Sequence, residues 1–166
     1  MSNDGYDPSP IEEEDFAVDE PGTESISFFV GGQPQQKGST RSFYIKKLNR
    51  VVTTSSNKDL KQWELRIANE AQRANEKRRI SFYSCDDRCG YGVSVEFVFA
   101  RPKSLPKRVK HDTKRPDLDK LVRAVLDGLT MHLIPDDSQV VVIQARKRYA
   151  AEGDTPGARI IVKRIP

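Results

Sequence analysis

The sequence predicts one small α+β domain, with a mixed β-sheet and two main helices on one face of it. The first observation is the order of periodic segments along the 166 residues, which is strand, hairpin, helix, strand, helix, strand, strand. The second is a length that suits one domain with a buried core. The third is that no apolar stretch approaches the roughly eighteen residues of a membrane span, and the N-terminus has no secretory signal. Two cysteines, Cys85 and Cys89, are too few for a disulfide framework, so a cytoplasmic protein is expected.

Charge divides the chain into a tail and a body. Residues 1–24 hold nine acidic residues and no lysine or arginine, whereas the rest holds 28 basic against 15 acidic side chains, a net charge of +13. An acidic segment of this kind buries too little apolar surface to fold, so residues 1–24 are expected to be a disordered tail and residues 25–166 the folded domain. The tail either screens the basic body or serves solubility. The basic body favours a polyanionic partner.

The first half of the body contains a strand, a hairpin and a helix. The segment SISFFVGG from Ser25 predicts a strand that ends in a glycine pair, and SFYIKK and VVTTSS predict a hairpin around Asn49. The segment NKDLKQWELRIANEAQRANEKR is typical of an amphipathic helix with Trp63 in the core. Its apolar residues recur at intervals of three and four, at Leu60, Trp63, Ile67, Ala71 and Ala74.

The second half predicts three further strands and a second helix. GYGVSVEFVFARP alternates in the manner of a half-buried strand, while SQVVVIQARKRY and GARIIVKRI predict the last two strands. Between them, DLDKLVRAVLDGLT predicts a helix that Asp117 caps at its start. Six apolar residues occupy one arc of that helix, namely Leu118, Leu121, Val122, Val125, Leu126 and Leu129.

Four acidic residues flank the second helix and its exit, at Asp117, Asp119, Asp136 and Asp137. A helix out and a turn back would bring Asp117 and Asp137 close together if the flanking strands pair. Magnesium is held by one or two carboxylates, with waters and substrate phosphate as its other ligands. In a basic chain, clustered carboxylates repel phosphate unless a metal ion reverses the local charge. The pattern therefore indicates a cation site that receives a phosphate.

A structural alternative for the same residues stays open. Asp117 caps the helix in that case, and Asp136 and Asp137 form a turn. Arg123 lies four residues from both Asp119 and Asp127, so it either supports a carboxylate ligand and the charge on a phosphate, or forms a surface ion pair.

The segment KRPDLDKLVRAVLDGL, followed by IPDDSQVV, resembles the RusA family of Holliday-junction resolvases. The close match covers residues 116–142, and a looser one lies at Gly32-Gln33-Pro34 with Lys37 and Arg41. The resemblance implies a RusA-like fold and a dimeric, magnesium-dependent endonuclease, with Mn²⁺ as a substitute metal, of the kind often encoded by phages and prophages. It also implies hydrolysis of branched DNA at four-way junctions by paired symmetric nicks, in recombination and repair within a bacterial cytoplasm.

The resemblance also assigns roles to residues. The family's essential acids fall on Asp117, Asp119 and Asp137, with Asp136 as a weaker metal ligand. Arg123 stands where the family has a catalytic lysine; arginine stays protonated, so it stabilises charge but does not readily donate a proton. The basic loop 101–116 is expected to follow DNA phosphates. The DNA-binding residues expected are Lys37, Arg41, Lys103, Lys107, Arg108, Lys110, Lys114, Arg115 and Lys120.

Three other functions fit the same residues. One is a nuclease of the same fold that acts on forks or flaps, and another is a branched-DNA-binding protein without catalysis. The third is a regulator that binds ordinary duplex sites. Arg146, Lys147 and Arg148 either extend the DNA surface or form a solvated strand edge.

Overall fold

The computed structural model describes residues 24–38, 40–55, 57–78, 89–106, 108–109 and 111–165, without the side chains of residues 40–43 and 52–55. The expected tail therefore lies outside the described residues, apart from Glu24. Six strands and two helices follow one another in the expected order. They are β1 Ser25–Gly31, β2 Thr40–Ile45, β3 Arg50–Ser55, α1 Leu60–Arg78, β4 Gly90–Phe99, α2 Leu118–Leu129, β5 Val140–Tyr149 and β6 Gly157–Ile165.

Four of the strands form a mixed sheet in the order β1-β6-β4-β5, which confirms the predicted α+β class. β4 and β5 run parallel, with Phe99 beside Tyr149, whereas β6 is antiparallel to both β4 and β1. β2 and β3 form the predicted hairpin, but as a separate two-stranded sheet. Cys89, immediately before β4, is disulfide-bonded.

The central strand β4 is buried on both faces, although its alternation predicted burial on one. Val93, Val95, Phe97 and Phe99 join the main core, as expected. The opposite face is covered as well, because the intervening side chains Ser94, Glu96 and Val98 are at most 4% exposed. Neighbours on both sides hold β4, so it has no edge in contact with solvent.

Both helices bury their predicted apolar faces against the sheet. Trp63 of α1 is 2% exposed and Leu121 of α2 is fully buried, and burial of such a side chain contributes about 1.5–3 kcal/mol. The helices also contact each other closely, since a Cβ at Gly128 would lie 2.8 Å from Cβ of Ile67. Glycine therefore allows α2 to approach α1. Neither helix in the described residues is long and apolar enough to cross a membrane.

The β4–α2–β5 unit determines where the ends of α2 lie. Because β4 and β5 are parallel neighbours, the helix between them must run back in the opposite direction. α2 therefore begins at the carboxyl ends of these strands and ends beside their amino ends. In open sheets of parallel strands, ligands bind at the carboxyl ends.

Candidate active site

Asp117 and Asp119 lie together at the start of α2, at the carboxyl ends of β4 and β5. Asp117 occupies the N-cap position with an extended backbone, but its side chain makes no capping hydrogen bond. Its Oδ2 instead accepts a hydrogen bond of 2.6 Å from Nζ of Lys120. Asp119 is exposed in the first helical turn. Two accessible carboxylates are a donor set that suits magnesium, which needs only one or two from the protein.

Lys120 lowers the pKa of Asp117. Its hydrogen bond and positive charge hold the pKa of the Asp117 carboxyl below its ordinary value, with smaller contributions from Arg115 and Lys147. Because the folded-state pKa is lowered, this pairing stabilises the fold above the ordinary carboxyl pKa. The stabilisation is lost as the pH falls through the lowered value. Asp117 therefore stays ionised to a lower pH than an ordinary aspartate, and the ionised form is the one that a metal ligand requires.

The loop 32–38 holds the start of α2 in place. Oε1 of Gln36 accepts a hydrogen bond of 3.0 Å from the Asp117 amide, and the Lys37 amide donates one of 3.0 Å to the Lys120 carbonyl. Nζ of Lys37 forms an ion pair with Asp127 of α2. Lys37, expected to bind DNA, thus has a partner within the protein. The supporting role of Gln36 escaped the sequence analysis, although the adjacent Gly32-Gln33-Pro34 match pointed to this loop.

Strand β5 also holds the backbone just before α2. Nζ of Lys147 donates a hydrogen bond of 2.8 Å to the Pro116 carbonyl and another to that of Lys114. Arg148 was predicted either to extend the DNA surface or to lie on a solvated strand edge. It does neither, because it is buried and donates a hydrogen bond of 3.0 Å from Nε to Oε1 of Glu96. Arg146 makes a matching bond of 2.9 Å to the same carboxylate.

The loop before α2 carries exposed basic side chains, and those of Arg115, Lys120 and Lys147 lie close enough to Asp117 to affect its pKa. Lys103, Arg108, Lys114 and Arg115 are exposed in the loop between β4 and α2, and Lys120 is half-buried. Lys107 and Lys110 lie outside the described residues, as does the side chain of Arg41. An open cleft of about 640 Å³ adjoins this surface and extends the polar region beside Asp117. Its lining includes Gln33, Gln35, Gln36, Asn57, Arg115 and Pro116.

Asp136 and Asp137 lie at the other end of α2. Asp136 caps the short 3-10 helix Asp137–Gln139, which leads into β5, and its Oδ1 accepts a hydrogen bond of 2.8 Å from the Ser138 amide. Hydrogen bonds from Ser138 lower the pKa of the Asp136 carboxyl. The turn predicted by the structural alternative is therefore present at these residues.

The four acids do not come together within one chain. This contradicts the expectation that α2 and the turn after it would return Asp137 to the neighbourhood of Asp117. The twelve residues of α2 span about 18 Å at a rise of ~1.5 Å per residue. Asp137 follows the last turn of this helix, whereas Asp117 precedes the first. Within the described part of the chain, no three side chains among His, Cys, Asp and Glu gather to hold a metal ion. The reason is the parallel pairing of β4 with β5, which sends α2 from one end of the sheet to the other.

Comparison with known proteins identifies the sequence pattern. A family model described as endodeoxyribonuclease RusA matches residues 32–163. The match includes both helices, the loop 32–38 and all four acids. No curated protein matches the chain.

The role of Lys120 can be tested by substitution. In Lys120→Met the pKa of Asp117 should rise towards the ordinary aspartate value, because the largest cause of its lowering is removed. The measurement is a carboxyl-carbon NMR titration. The pKa of Asp136, which is lowered by Ser138 and not by Lys120, is the internal control and should stay constant. An unchanged Asp117 titration would contradict the assignment.

Proposed function

The chain belongs to the RusA endodeoxyribonuclease family, and on this basis we propose that it resolves four-way DNA junctions by metal-dependent, paired, symmetric nicks, in recombination and repair. The observation that carries the proposal is the pair of accessible carboxylates, Asp117 and Asp119, inside a basic surface. A phosphate backbone is attracted to such a surface, while its scissile phosphate needs a cation beside the carboxylates.

Asp117 and Asp119 would hold Mg²⁺, or Mn²⁺ in its place. When bound, the cation supplies polarisation of the phosphate and activation of a water for in-line attack. Lys120 lowers the pKa of Asp117, and the contacts of Gln36 and Lys147 fix the backbone that carries it. The protein thus contributes a charged and pre-positioned site, which is the main requirement for charge stabilisation in catalysis.

Arg123 is the candidate for stabilising charge on the phosphate. It is exposed on α2, one helical turn beyond Asp119. Among the described residues none pairs with its guanidinium, which leaves the group available to a ligand. Since arginine remains protonated at neutral pH, its role is to hold negative charge and not to donate a proton.

A four-way junction has two-fold symmetry, and a two-fold homodimer would present one site to each of two strands of equal polarity. The symmetry of the substrate therefore favours a dimeric resolvase. The family resemblance adds the cytoplasm of a bacterium as its location and a phage or prophage as the source of the gene. Forks and flaps are the alternative substrates, and they lack this symmetry. A branched-DNA-binding protein without catalysis is the second candidate, favoured by arginine at position 123, where the family has a lysine.

Removal of one carboxylate should separate cutting from binding. Asp119→Asn should lower junction cleavage by more than ~100-fold, since a metal ligand is worth several kcal/mol in the transition state. Junction affinity should stay equal or increase, because a repulsive charge is lost. Cleavage is measured on a synthetic four-way junction with and without Mg²⁺, beside linear and flap controls. Glu76→Gln, which removes a negative charge on α1, is the matched control. Equal cleavage by Asp119→Asn and wild type would refute the catalytic assignment.

The charge on Arg123 should matter more than its shape. Arg123→Ala should reduce cleavage by about 100-fold, because the removal of one group that stabilises transition-state charge typically has an effect of this size in enzymes. Arg123→Lys should stay within about threefold of wild type, because the positive charge is kept. Single-turnover rates over a range of pH provide the measurement, with Arg73→Ala as the control for an exposed arginine elsewhere. Full activity in Arg123→Ala would exclude the role.

The basic loop should determine the salt dependence of binding. The double variant Lys114→Ala/Arg115→Ala should reduce the slope of log affinity against log salt by up to about two, since each lost phosphate contact removes ~0.9. Junction affinity at several salt concentrations measures this. The matched control is Arg73→Ala/Lys77→Ala on α1, which removes equal charge away from the site and should leave the slope unchanged. If the loop variant and the α1 variant give the same slope, the DNA does not contact Lys114 and Arg115.

A further inference from the structure

We propose that the β2–β3 hairpin places its apolar tip, residues 44–51, against unstacked bases at the branch point of the DNA. The inference rests on the proposed function, since branched DNA is the ligand in both. It goes beyond that function because it assigns recognition of the branch to a part of the chain outside the carboxylate site.

The hairpin tip combines exposed apolar side chains with positive charge. Tyr44, Leu48 and Val51 are 55%, 57% and 63% exposed. The hairpin sequence 40–55 contains four lysines and arginines and no acidic residue. The exposed basic side chains of the tip are Lys46, Lys47 and Arg50. Exposed apolar side chains that are grouped together mark a surface that meets a partner, and the charge indicates a polyanion as that partner.

Local pairing positions the apolar side chains of the tip. Tyr44 lies directly opposite Val51 in the antiparallel register, so both side chains project from the same face of the hairpin. Leu48 ends the short 3-10 helix Lys46–Leu48 between the two strands. The hydroxyl of Tyr44 donates a hydrogen bond to Oδ1 of Asn49, the residue with left-handed backbone at which the chain turns back. The aromatic ring is therefore held in place before a ligand binds, which lowers the entropy cost of stacking.

The base of the hairpin is tied to the backbone that carries Asp117. Two residues after β3, Nδ2 of Asn57 donates a hydrogen bond of 3.0 Å to the Gln36 carbonyl. Oε1 of Gln36 in turn accepts the hydrogen bond of 3.0 Å from the Asp117 amide. The six residues of β2 extend about 20 Å at ~3.3 Å each. This is the length of about six nucleotides of one strand at ~3.4 Å each, so the tip and the carboxylate pair can contact the same short stretch of DNA.

The apolar tip suits an open branch point better than a continuous duplex. In a duplex the bases cover one another's faces, and only base edges and phosphates meet a protein. An open branch point interrupts the stack, so that base faces become accessible to aromatic and apolar side chains. A second copy of the chain is a poorer occupant of the tip, because each hairpin has four basic residues and no acidic one, and like charges repel.

Removal of the apolar side chains tests the inference. Tyr44→Ser/Leu48→Ser should weaken binding to a synthetic four-way junction by about tenfold, an effect typical of the loss of one stacked base. Its affinity for linear duplex should be unchanged. Both side chains are exposed, so the variant keeps its fold. Binding is measured without Mg²⁺, which makes the result independent of cleavage.

Two matched controls separate apolar contact from charge. Leu65→Ser changes a side chain of α1 that is 60% exposed, and it should bind both DNAs as wild type does. Lys46→Ala/Lys47→Ala should weaken binding to junction and duplex alike, because both DNAs carry phosphates.

A fluorescence measurement locates the contact. Tyr44→Trp places an indole at the tip, and its emission should be quenched by stacking on a base of the junction but not by linear duplex. The chain's own tryptophan, Trp63, is 2% exposed and therefore inaccessible to DNA. Tyr44→Trp should also keep the wild-type preference for the junction, since an aromatic ring is retained.

The remaining outcomes decide against the inference or against the proposed function. An equal loss of junction and duplex binding in Tyr44→Ser/Leu48→Ser, or no loss, would overturn the inference. So would quenching of Tyr44→Trp by phosphatidylglycerol vesicles and not by the junction, or a change of oligomeric state in the double variant. A wild-type protein that binds the junction through this tip but never cuts it would refute the proposed function alone. A wild-type protein that binds no branched DNA would refute both.

Discussion

The parallel pairing of β4 with β5 is the constraint on which the rest of the structure depends. Two adjacent parallel strands require a crossover, and here that crossover is α2 with the loop before it. The direction of α2 follows, since it must return along the sheet. Its first turn, with Asp117 and Asp119, therefore lies at the carboxyl ends of the strands. The same constraint puts Asp136 and Asp137 at the amino ends.

Contacts from distant parts of the chain hold the first turn of α2. Gln36 contacts the Asp117 amide and Lys147 contacts the Pro116 carbonyl, so both a loop after β1 and the last part of β5 fix its backbone. Lys120 adds a local ion pair that lowers the pKa of Asp117. The first of the two carboxylates is thus held by the protein, while Asp119 remains exposed to a ligand. Both side chains remain accessible, so the arrangement suits a pair of metal ligands of which the first is positioned by its neighbours.

The basic side chains of the chain serve two distinct purposes. Some stabilise the protein itself: Lys37 pairs with Asp127, and Arg146 and Arg148 satisfy the buried carboxylate of Glu96. A buried carboxylate needs such partners because an unpaired charge in the interior is costly. Others, such as Lys114 and Arg115, have exposed side chains beside the candidate site. Net charge alone therefore overstates the surface available to DNA.

Periodicity in the sequence was sufficient to predict the α+β class, both helices, the hairpin and the core position of Trp63. These features depend on which side chains must leave water, and that information is local. The motif around Asp117 and Asp119 was likewise visible in the sequence, as was its basic loop. Sequence could not show that β4 lies at the centre of the sheet, nor that Arg148 reaches Glu96. Asp117 and Asp137 were expected to lie close together if the flanking strands pair; β4 and β5 do pair, but in parallel, so the two residues lie at opposite ends of α2. Local patterns define segments, but strand order and direction depend on pairing between segments far apart in the chain, and only the tertiary structure decides that pairing.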